Sequence, residues 1–89
     1  MEQQPHRFFT YIIQSKKDGS FYIGQCSDLD ARLSKHNEGF SSYTAAKKPW
    51  RLVYFEAFHS RSEAIRREKL IKRQKSKTYL LQLIQNKFK

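Results

Sequence analysis

The sequence predicts an α+β domain in which helices flank a small antiparallel sheet of three strands. Three segments rich in aromatic and β-branched residues are typical of strands, and the apolar residues that follow the second and third segments recur every three or four positions, as in helices. A chain of 89 residues is long enough for one domain with a modest core. We therefore expect one domain over residues 1–89, with its elements in the order β-β-α-β-α-α.

The first two strands are expected to form a hairpin. Residues 8–14 (FFTYIIQ) and 21–25 (FYIGQ) flank an Asp-Gly turn signal. In a hairpin with a two-residue loop, paired positions have numbers that sum to an odd value, which places Tyr11 and Tyr22 on one face of the sheet. These tyrosines are either core aromatics with hydroxyls at the edge or phenols that take part in chemistry.

The first helix is expected to begin after Ser27 or Asp28 and to end at Gly39. A polar segment over 40–48 then connects it to the third strand, with room for a short helical turn. The residues that we expect on the core-facing stripe of the helix are Leu29, Leu33 and either His36 or Asn37.

The second half of the chain predicts a strand followed by two helices. Residues 50–58 (WRLVYFEAF) form the third strand, and Ser60 or Ser62 caps a strongly basic helix over 61–75. A further helix covers about 77–88. The residues expected on its buried face are Leu80, Leu81, Leu83, Ile84 and Phe88.

Charge gives the first indication of function. Eighteen Lys and Arg against eight Asp and Glu give a formal net charge of +10, which attracts polyanions such as nucleic acid. Composition does not separate DNA from RNA, or binding from cleavage.

The single cysteine, Cys26, excludes an intrachain disulfide. Without a long apolar segment or a dinucleotide or phosphate-loop fingerprint, we expect a cytoplasmic protein with no membrane contact and no small-molecule cofactor.

Two residues of the first helix are candidates for phosphate chemistry. Arg32 and His36 are four positions apart and therefore project from the same side of the helix. The guanidinium is a planar fork of donors suited to phosphate oxygens, and an imidazole exchanges a proton near neutral pH. The alternative is a solvated helix face without a function of this kind.

Glu68 is the acidic candidate. Its spacing from Ala64, Ile65 and Ile71 places it on the inward stripe of a helix whose other charges are mostly basic. A carboxylate in that position needs a partner, because unpaired burial of charge is costly. The partner is either an arginine such as Arg32, in an ion pair, or a metal ion such as Mg²⁺.

Taken in order, these residues resemble the GIY-YIG nuclease family over about residues 7–78. The matching segments are Phe9-Thr10-Tyr11, where the first glycine and isoleucine are replaced, Tyr22-Ile23-Gly24, Asp28-Leu29, Arg32-Leu33, His36-Asn37, Leu52 to Glu56, Glu63-Ala64, Arg67-Glu68-Lys69 and Ile71-Lys72. The resemblance is to the short stand-alone bacterial branch related to the nuclease subunit of nucleotide-excision repair, which links the chain to DNA repair.

The resemblance implies a hydrolase that cuts phosphodiester bonds with one Mg²⁺ or Mn²⁺. Glu68 would hold the metal, and Arg32 would stabilise the negative charge of the transition state. Tyr11 would act as general base, with Tyr22 or His36 lowering its pKa or positioning the water. The resemblance favours DNA as the substrate over RNA.

Substrate binding is assigned to the basic helix, or else a partner protein delivers the nucleic acid. The candidate binding residues are Arg66, Lys69, Lys72, Arg73, Lys75 and Lys77. Asn86 is a looser candidate for a polar residue that the family often has after its acidic helix. Two alternatives remain open at this point: a nucleic-acid-binding module of the same fold that has lost useful turnover, and an RNA-processing factor.

Overall fold

The computed structural model describes residues 7–39 and 41–86, and it has the predicted order of elements with one short helix added. That helix lies in the segment that connects the first long helix to the third strand. The elements are β1 (Phe8–Ser15), β2 (Phe21–Cys26), α1 (Leu29–Glu38), α2 (Ser42–Ala46), β3 (Trp50–Phe58), α3 (Arg61–Gln74) and α4 (Lys77–Asn86). Within the described ranges, no helix is long and apolar enough to cross a membrane.

The three strands form one antiparallel sheet in the order β2-β1-β3. The central strand is the most buried, because it has a neighbour on each side and helices above and below. The α+β architecture with three antiparallel strands is therefore confirmed. The order also leaves one side of β2 without a strand neighbour in the described part of the chain.

The hairpin has the predicted parity. Tyr11 lies opposite Gly24 and Ile13 lies opposite Tyr22, so both tyrosines are on one face. The loop is longer than the two residues assumed, because the Ser15 N–H donates to the Ser20 carbonyl at 2.8 Å and four residues separate them. An even loop length keeps the sum of paired numbers odd, which is why the prediction holds.

A bulge in β3 places its apolar residues on the same face as the tyrosines. Ile12 lies opposite Tyr54 while the next residue, Ile13, lies opposite Leu52, so Val53 is an extra residue in the ladder. The inserted residue exchanges the two faces of β3 at that point. Trp50 and Leu52 on one side of the bulge and Phe55 on the other therefore belong to one core cluster.

The helices cover both faces of the sheet. The hydroxyl of Thr10 donates to the Ala64 carbonyl of α3 at 2.7 Å, whereas the neighbouring Tyr11 forms a hydrogen bond with His36 of α1. Neighbouring residues of a strand point to opposite faces. It follows that α1 packs on the face that carries the tyrosines, and α3 packs on the other.

Helix α3 runs alongside β2 in the opposite direction. It begins at Ser60, whose side chain forms a capping box with Glu63. Near this end, Arg61 donates to the side chain of Gln25 at 3.1 Å. At the other end, Lys75 lines a groove together with the hairpin residues 18–21. The middle of α3 therefore passes beside the middle of β2.

The expected buried face of α4 is wrong in part. No described residue of α4 is fully buried, and Leu81 is 42% exposed. Leu80, Leu83 and Ile84 are half-buried, and Phe88 lies outside the described residues. The physical reason is that only one stripe of α4 meets the rest of the fold, including β3 and the groove at the hairpin loop.

One ion pair joins β3 to α3. The guanidinium of Arg67 donates to both carboxylate oxygens of Glu56, at 2.9 to 3.1 Å, and the hydroxyl of Tyr54 donates to the same carboxylate. Burial by itself raises the pKa of Glu56, but the hydrogen bonds from Arg67 and Tyr54 outweigh it and hold this pKa below its ordinary value. Ionised Glu56 therefore stabilises the fold at neutral pH.

We predict that Glu56→Gln lowers the free energy of unfolding at pH 7 by about 1–3 kcal/mol, because Arg67 then lacks a counter-charge in a mostly buried place. A group whose pKa is depressed in the folded state stabilises the fold above its unfolded pKa, about 4.3 for Glu, and this stabilisation is lost as pH falls. The gap between variant and wild type should therefore shrink below about pH 4.3, as measured by urea unfolding. Asp18→Asn, which removes an exposed ion pair, is the control and should change stability far less.

Candidate functional site

The phenol of Tyr11 lies across β2 because the residue opposite it is glycine. A Cβ atom added to Gly24 would lie 2.6 Å from the Tyr11 hydroxyl oxygen and 2.7 Å from its ring carbon Cζ, which is closer than Cβ atoms come to non-bonded neighbours. Gly24 has an ordinary backbone conformation, so its missing side chain matters for space and not for backbone freedom. The ring can therefore direct its hydroxyl towards the outer side of β2.

The Tyr11 hydroxyl forms a hydrogen bond with His36 of α1. The Nε2 of His36 lies 2.9 Å from the Tyr11 oxygen, and the Tyr22 ring contacts the imidazole with centroids 4.9 Å apart. The following residue fixes the helix that carries it, since the Asn37 amide accepts from the Trp50 N–H at 2.6 Å and donates to the Trp50 carbonyl at 3.1 Å. The imidazole is thus held between a strand and an aromatic cluster, with only 1% of its surface exposed.

Arg32 brings a positive charge to the same place. It lies one helical turn before His36, and its Nη1 donates to the Gln25 carbonyl at 3.3 Å, on β2. Burial raises the pKa of Tyr11 and lowers that of His36, and the charge of Arg32 opposes the first shift and adds to the second. Four of the five predicted catalytic residues, Tyr11, Tyr22, Arg32 and His36, are therefore brought together on one face of the sheet.

The pKa of Tyr11 differs from the expectation. Burial and then the neighbouring Tyr22 raise it well above the usual value near 10, and Arg32 opposes them only in part. Of the alternatives stated above, a lowering of this pKa by Tyr22 is contradicted, because the second phenol raises it. A contribution from His36, or positioning of the water by either residue, stays a prediction. Because its pKa is raised, the Tyr11 phenol is protonated at neutral pH, and loss of its proton requires an acceptor close by.

His36 has the properties of such an acceptor. Burial lowers its pKa below 6.5, and the charge of Arg32 lowers it further, so the imidazole is neutral at pH 7. In the tautomer that carries its proton on Nδ1, the Nε2 atom accepts the proton of the Tyr11 hydroxyl. The pair therefore forms a short path along which a proton can leave the phenol.

Glu68 is carried by a different element from these four residues. It belongs to α3, which packs on the other face, and its carboxylate pairs with Lys72 at 2.5 Å, four residues further along the helix. The side chain is 18% exposed, as the inward stripe predicted, but its partner is not the arginine that we considered. Seven residues from Arg61 correspond to ~10 Å along the helix, which places Glu68 beside the middle of β2. Since α1 and α3 are on opposite faces, the route from Glu68 to the other four residues runs around the outer edge of that strand.

The side chains of this region offer few ligands for a metal ion. No group of three or more His, Cys, Asp or Glu residues that could hold a metal occurs in the described part of the chain. Mg²⁺, however, is commonly held by one or two carboxylates together with waters and substrate phosphates. A half-buried carboxylate beside an open strand edge fits that minimal arrangement, provided that Lys72 releases it.

The six candidate binding residues are exposed along α3 and at the start of α4. Arg66 and Arg73 line a groove of about 300 Å³ with Phe58 and Leu70, on the β3 side of α3. Lys72 lies next to Glu68. Lys75 and Lys77 line the groove at the hairpin loop, and Lys69 is exposed on α3. Lys72 is therefore the member of the set that lies closest to Glu68.

Asn86, the looser candidate, is the last described residue of α4 and is exposed.

Sequence reasoning missed the residues that position the site. Gly24 was noted as part of a signature, but the reason for it, the close passage of the Tyr11 ring, requires the strand register. Asn37 and Trp50 form the clamp between α1 and β3, and nothing in their spacing of 13 residues indicates it. For Asn37 the signals in the sequence were its possible place on the core-facing stripe and in the segment His36-Asn37, and for Trp50 the signal was its aromatic character.

Comparison with known proteins identifies the class of domain that this fold and site define. A family model described as the GIY-YIG catalytic domain matches residues 7–80. The chain belongs to the GIY-YIG family, whose catalytic domain is a nuclease domain.

The relatives are short proteins that carry the family name UPF0213. The chain is 41% identical over 71 residues to a UPF0213 protein of Streptococcus pneumoniae, covering 79% of this chain and 71% of the relative. It is 45% identical over 65 residues to one of Staphylococcus aureus, covering 72% and 78%. An NMR structure of a UPF0213 protein from Bacillus halodurans matches with a TM-score of 0.58 and 40% identity, over 90% of this chain and 84% of that one. The expected resemblance to the short stand-alone branch is confirmed.

We predict that Gly24→Ala lowers the free energy of unfolding by about 1–3 kcal/mol, because the new methyl group overlaps the Tyr11 ring. The same change in a Tyr11→Ala background should cost clearly less, since the overlapping ring is gone. A double-mutant cycle of urea unfolding measures this coupling. Equal costs in the two backgrounds would show that the ring does not need the space above Gly24.

We predict a stability change with pH that depends on His36. Because its pKa is lowered in the folded protein, the unfolded chain binds a proton first as pH falls below about 6.5. Wild type should therefore lose up to about 1.4 kcal/mol per pH unit below that point until the folded imidazole is also protonated. His36→Gln should be less stable at pH 7 but should show a flatter dependence between pH 7 and 5. Parallel curves for the two proteins would contradict the neutral buried imidazole.

Proposed function

We propose that this chain is a metal-dependent endonuclease that hydrolyses phosphodiester bonds in nucleic acid, with DNA favoured over RNA. The observation that carries the proposal is the 2.9 Å hydrogen bond between Tyr11 and His36, with Arg32 beside both. A buried structural tyrosine needs only one partner for its hydroxyl. The addition of a cation and an imidazole of lowered pKa is typical of a site that moves protons next to negative charge.

The proton path would begin at the attacking water. Tyr11 takes a proton from the water while it passes its own proton to Nε2 of His36, and the water oxygen forms a bond to phosphorus. The bond from phosphorus to the leaving oxygen breaks at the same centre. His36 is suited to this task because it is neutral at pH 7 and already lies within hydrogen-bonding distance.

Arg32 would bind the phosphate that is cut. One nitrogen of its guanidinium donates to the Gln25 carbonyl of β2. The other N–H groups of the guanidinium remain for phosphate oxygens. Charge that develops on those oxygens in the transition state would be stabilised by donors already in place. Arg32 would therefore contribute to both binding and turnover.

Glu68 would hold the metal at the outer edge of β2. A bound Mg²⁺ or Mn²⁺ supplies charge stabilisation to the phosphate and its leaving oxygen. The carboxylate is paired with Lys72 in this structure, so the ammonium group has to move aside for a cation of higher charge. Lys72 is half exposed and long, which makes such a movement inexpensive.

The same ion pair favours a second candidate function. A carboxylate satisfied by Lys72 needs no metal, and the domain would then be a nucleic-acid-binding module without useful turnover. Under this alternative, the basic groups bind phosphates and Glu68 only orients Lys72. A matched pair of variants separates the two functions.

We predict that Glu68→Ala abolishes cleavage in the presence of Mg²⁺ or Mn²⁺ and leaves nucleic-acid affinity equal or slightly tighter, because a negative charge near the phosphate is removed along with the metal ligand. Tyr11→Phe should also stop cleavage with little change in affinity. Arg32→Ala should reduce both. Cleavage is measured on single-stranded, duplex and branched DNA and on RNA, and affinity by anisotropy without metal.

Lys72→Ala is the control, because it breaks the same ion pair from the other side. It should keep cleavage, since Glu68 is then available to the metal, and should weaken binding at most modestly. If Lys72→Ala abolishes cleavage as fully as Glu68→Ala while both proteins fold, the ion pair and not a metal site is what matters. If wild type and Glu68→Ala show the same trace activity, the binding module replaces the nuclease.

A further inference from the structure

We propose that Tyr43 is a nucleobase-stacking residue beside the site, so that a nucleotide next to the cut phosphate is unpaired and unstacked when bound. The proposal rests on the nucleic-acid substrate of the proposed function and adds the state of that substrate at the site. It assigns a role to the short helix α2, which the proton path and the metal ligand do not use.

Tyr43 is an unusual surface residue in this chain. It is 51% exposed, and within the described ranges the other exposed large apolar side chains are two leucines, Leu70 at 39% and Leu81 at 42%. Those leucines lie on α3 and α4, away from the Tyr11 face. A single exposed apolar residue needs no explanation, but an exposed aromatic ring next to a candidate site is a candidate for binding.

A row of rings connects Tyr43 to the buried phenol. The centroids of Tyr11 and Tyr22 are 6.4 Å apart, and those of Tyr22 and Tyr43 are 6.1 Å apart. Exposure increases along this row, from the buried Tyr11 through the half-buried Tyr22 to Tyr43. If a phosphate lay at the Tyr11 hydroxyl, the base of that nucleotide or of the next one would be within reach of the Tyr43 ring.

The backbone that carries Tyr43 is held in place. Ser41 caps α2, and the carbonyl of the buried Thr44 accepts from the indole N–H of Trp50 at 2.8 Å. Just beyond the helix, the Lys47 carbonyl accepts from the hydroxyl of Ser15 at 2.6 Å. A ring on a fixed backbone loses little conformational entropy when it binds, which favours its use as a stacking surface.

Positive charge lies next to the ring. The Lys47 ammonium is 5.6 Å from the Tyr43 centroid and 2.7 Å from a carboxylate oxygen of Asp18. Lys17 donates to the Ala46 carbonyl at 3.2 Å, so a second ammonium group lies close to this helix. Aromatic rings for bases together with cations for the backbone are the combination that proteins use to bind single-stranded nucleic acid.

The state of the nucleotide follows from the geometry of a duplex. Inside a duplex each base is covered on both faces by its neighbours, so a protein ring can stack on it only after the base leaves the helix. A base in a single strand, a loop or a frayed end presents its face without that cost. Stacking on Tyr43 would thus favour unpaired segments of DNA or RNA over intact duplex.

The test measures stacking and affinity with the whole chain and without metal, so that no cleavage occurs. Single-stranded oligonucleotides carry 2-aminopurine, whose fluorescence falls when it stacks, at successive positions. Tyr43→Ala should bind them about 5- to 150-fold more weakly than wild type and should lose the quenching. Tyr43→Phe should keep both. Leu81→Ala, which removes a similarly exposed apolar side chain, should bind single strands with the affinity and quenching of wild type. The affinity of Tyr43→Ala for intact duplex should be within about twofold of the wild-type affinity.

The proposal is overturned if Tyr43→Ala binds single strands as tightly as wild type, or if it weakens duplex and single strands equally. If the alanine variant does not fold, Tyr43→Leu, which keeps an apolar side chain without a ring, is used with the same criteria. Cleavage assays on the same variants separate this failure from that of the proposed function. Quenching that requires Tyr43, in a wild type that does not cleave, supports stacking and removes the nuclease.

Discussion

The arrangement of the candidate site depends on one contact, the hydrogen bond between Tyr11 and His36, which the ring reaches by passing across Gly24. The ring can cross β2 only where that strand has no side chain. The hydroxyl meets the imidazole only if α1 has the correct position along the sheet. The two hydrogen bonds between the Asn37 side chain and the Trp50 backbone fix that position. A strand register, a glycine and a helix position therefore have to agree before the phenol and the imidazole can meet, and the surrounding aromatic cluster packs around the result.

The alternation of side chains along β1 divides the molecule into two sides. Thr10 ties α3 to one face, and Tyr11 ties α1 to the other, so residues on these helices cannot meet through the sheet. The outer edge of β2 is where the two sides come closest, because α3 runs along this strand and Arg32 already contacts its backbone. A substrate that contacted both Arg32 and Glu68, as the proposed function requires, would have to lie along this edge.

The sequence predicted features that depend on local spacing and missed those that depend on contacts between distant residues. The strands, the helix end at Gly39, a serine cap that was narrowed to Ser60 or Ser62, and the shared face of Tyr11 and Tyr22 follow from rules that involve few neighbouring residues. The bulge at Val53 was not predictable, since an apolar run reads equally well with or without an extra residue. The exposure of Leu81 was missed because periodicity shows which side of a helix is apolar and not how much of it is covered. The site assignment of Glu68 stays a prediction.

The partner of Glu68 shows how chain geometry decides between candidates that charge alone leaves equal. Arg32 and Lys72 both carry the charge that a half-buried carboxylate needs, but Lys72 is four residues away on the same helix, where its side chain reaches Glu68 without any rearrangement. Arg32 is on the far side of the sheet and has its own acceptor in the Gln25 carbonyl. A local ion pair of this kind satisfies the carboxylate at little entropic cost, yet it is weak enough to open, since one partner is half exposed. The pairing therefore holds the carboxylate near the strand edge, where the proposed divalent cation would have to replace the ammonium group.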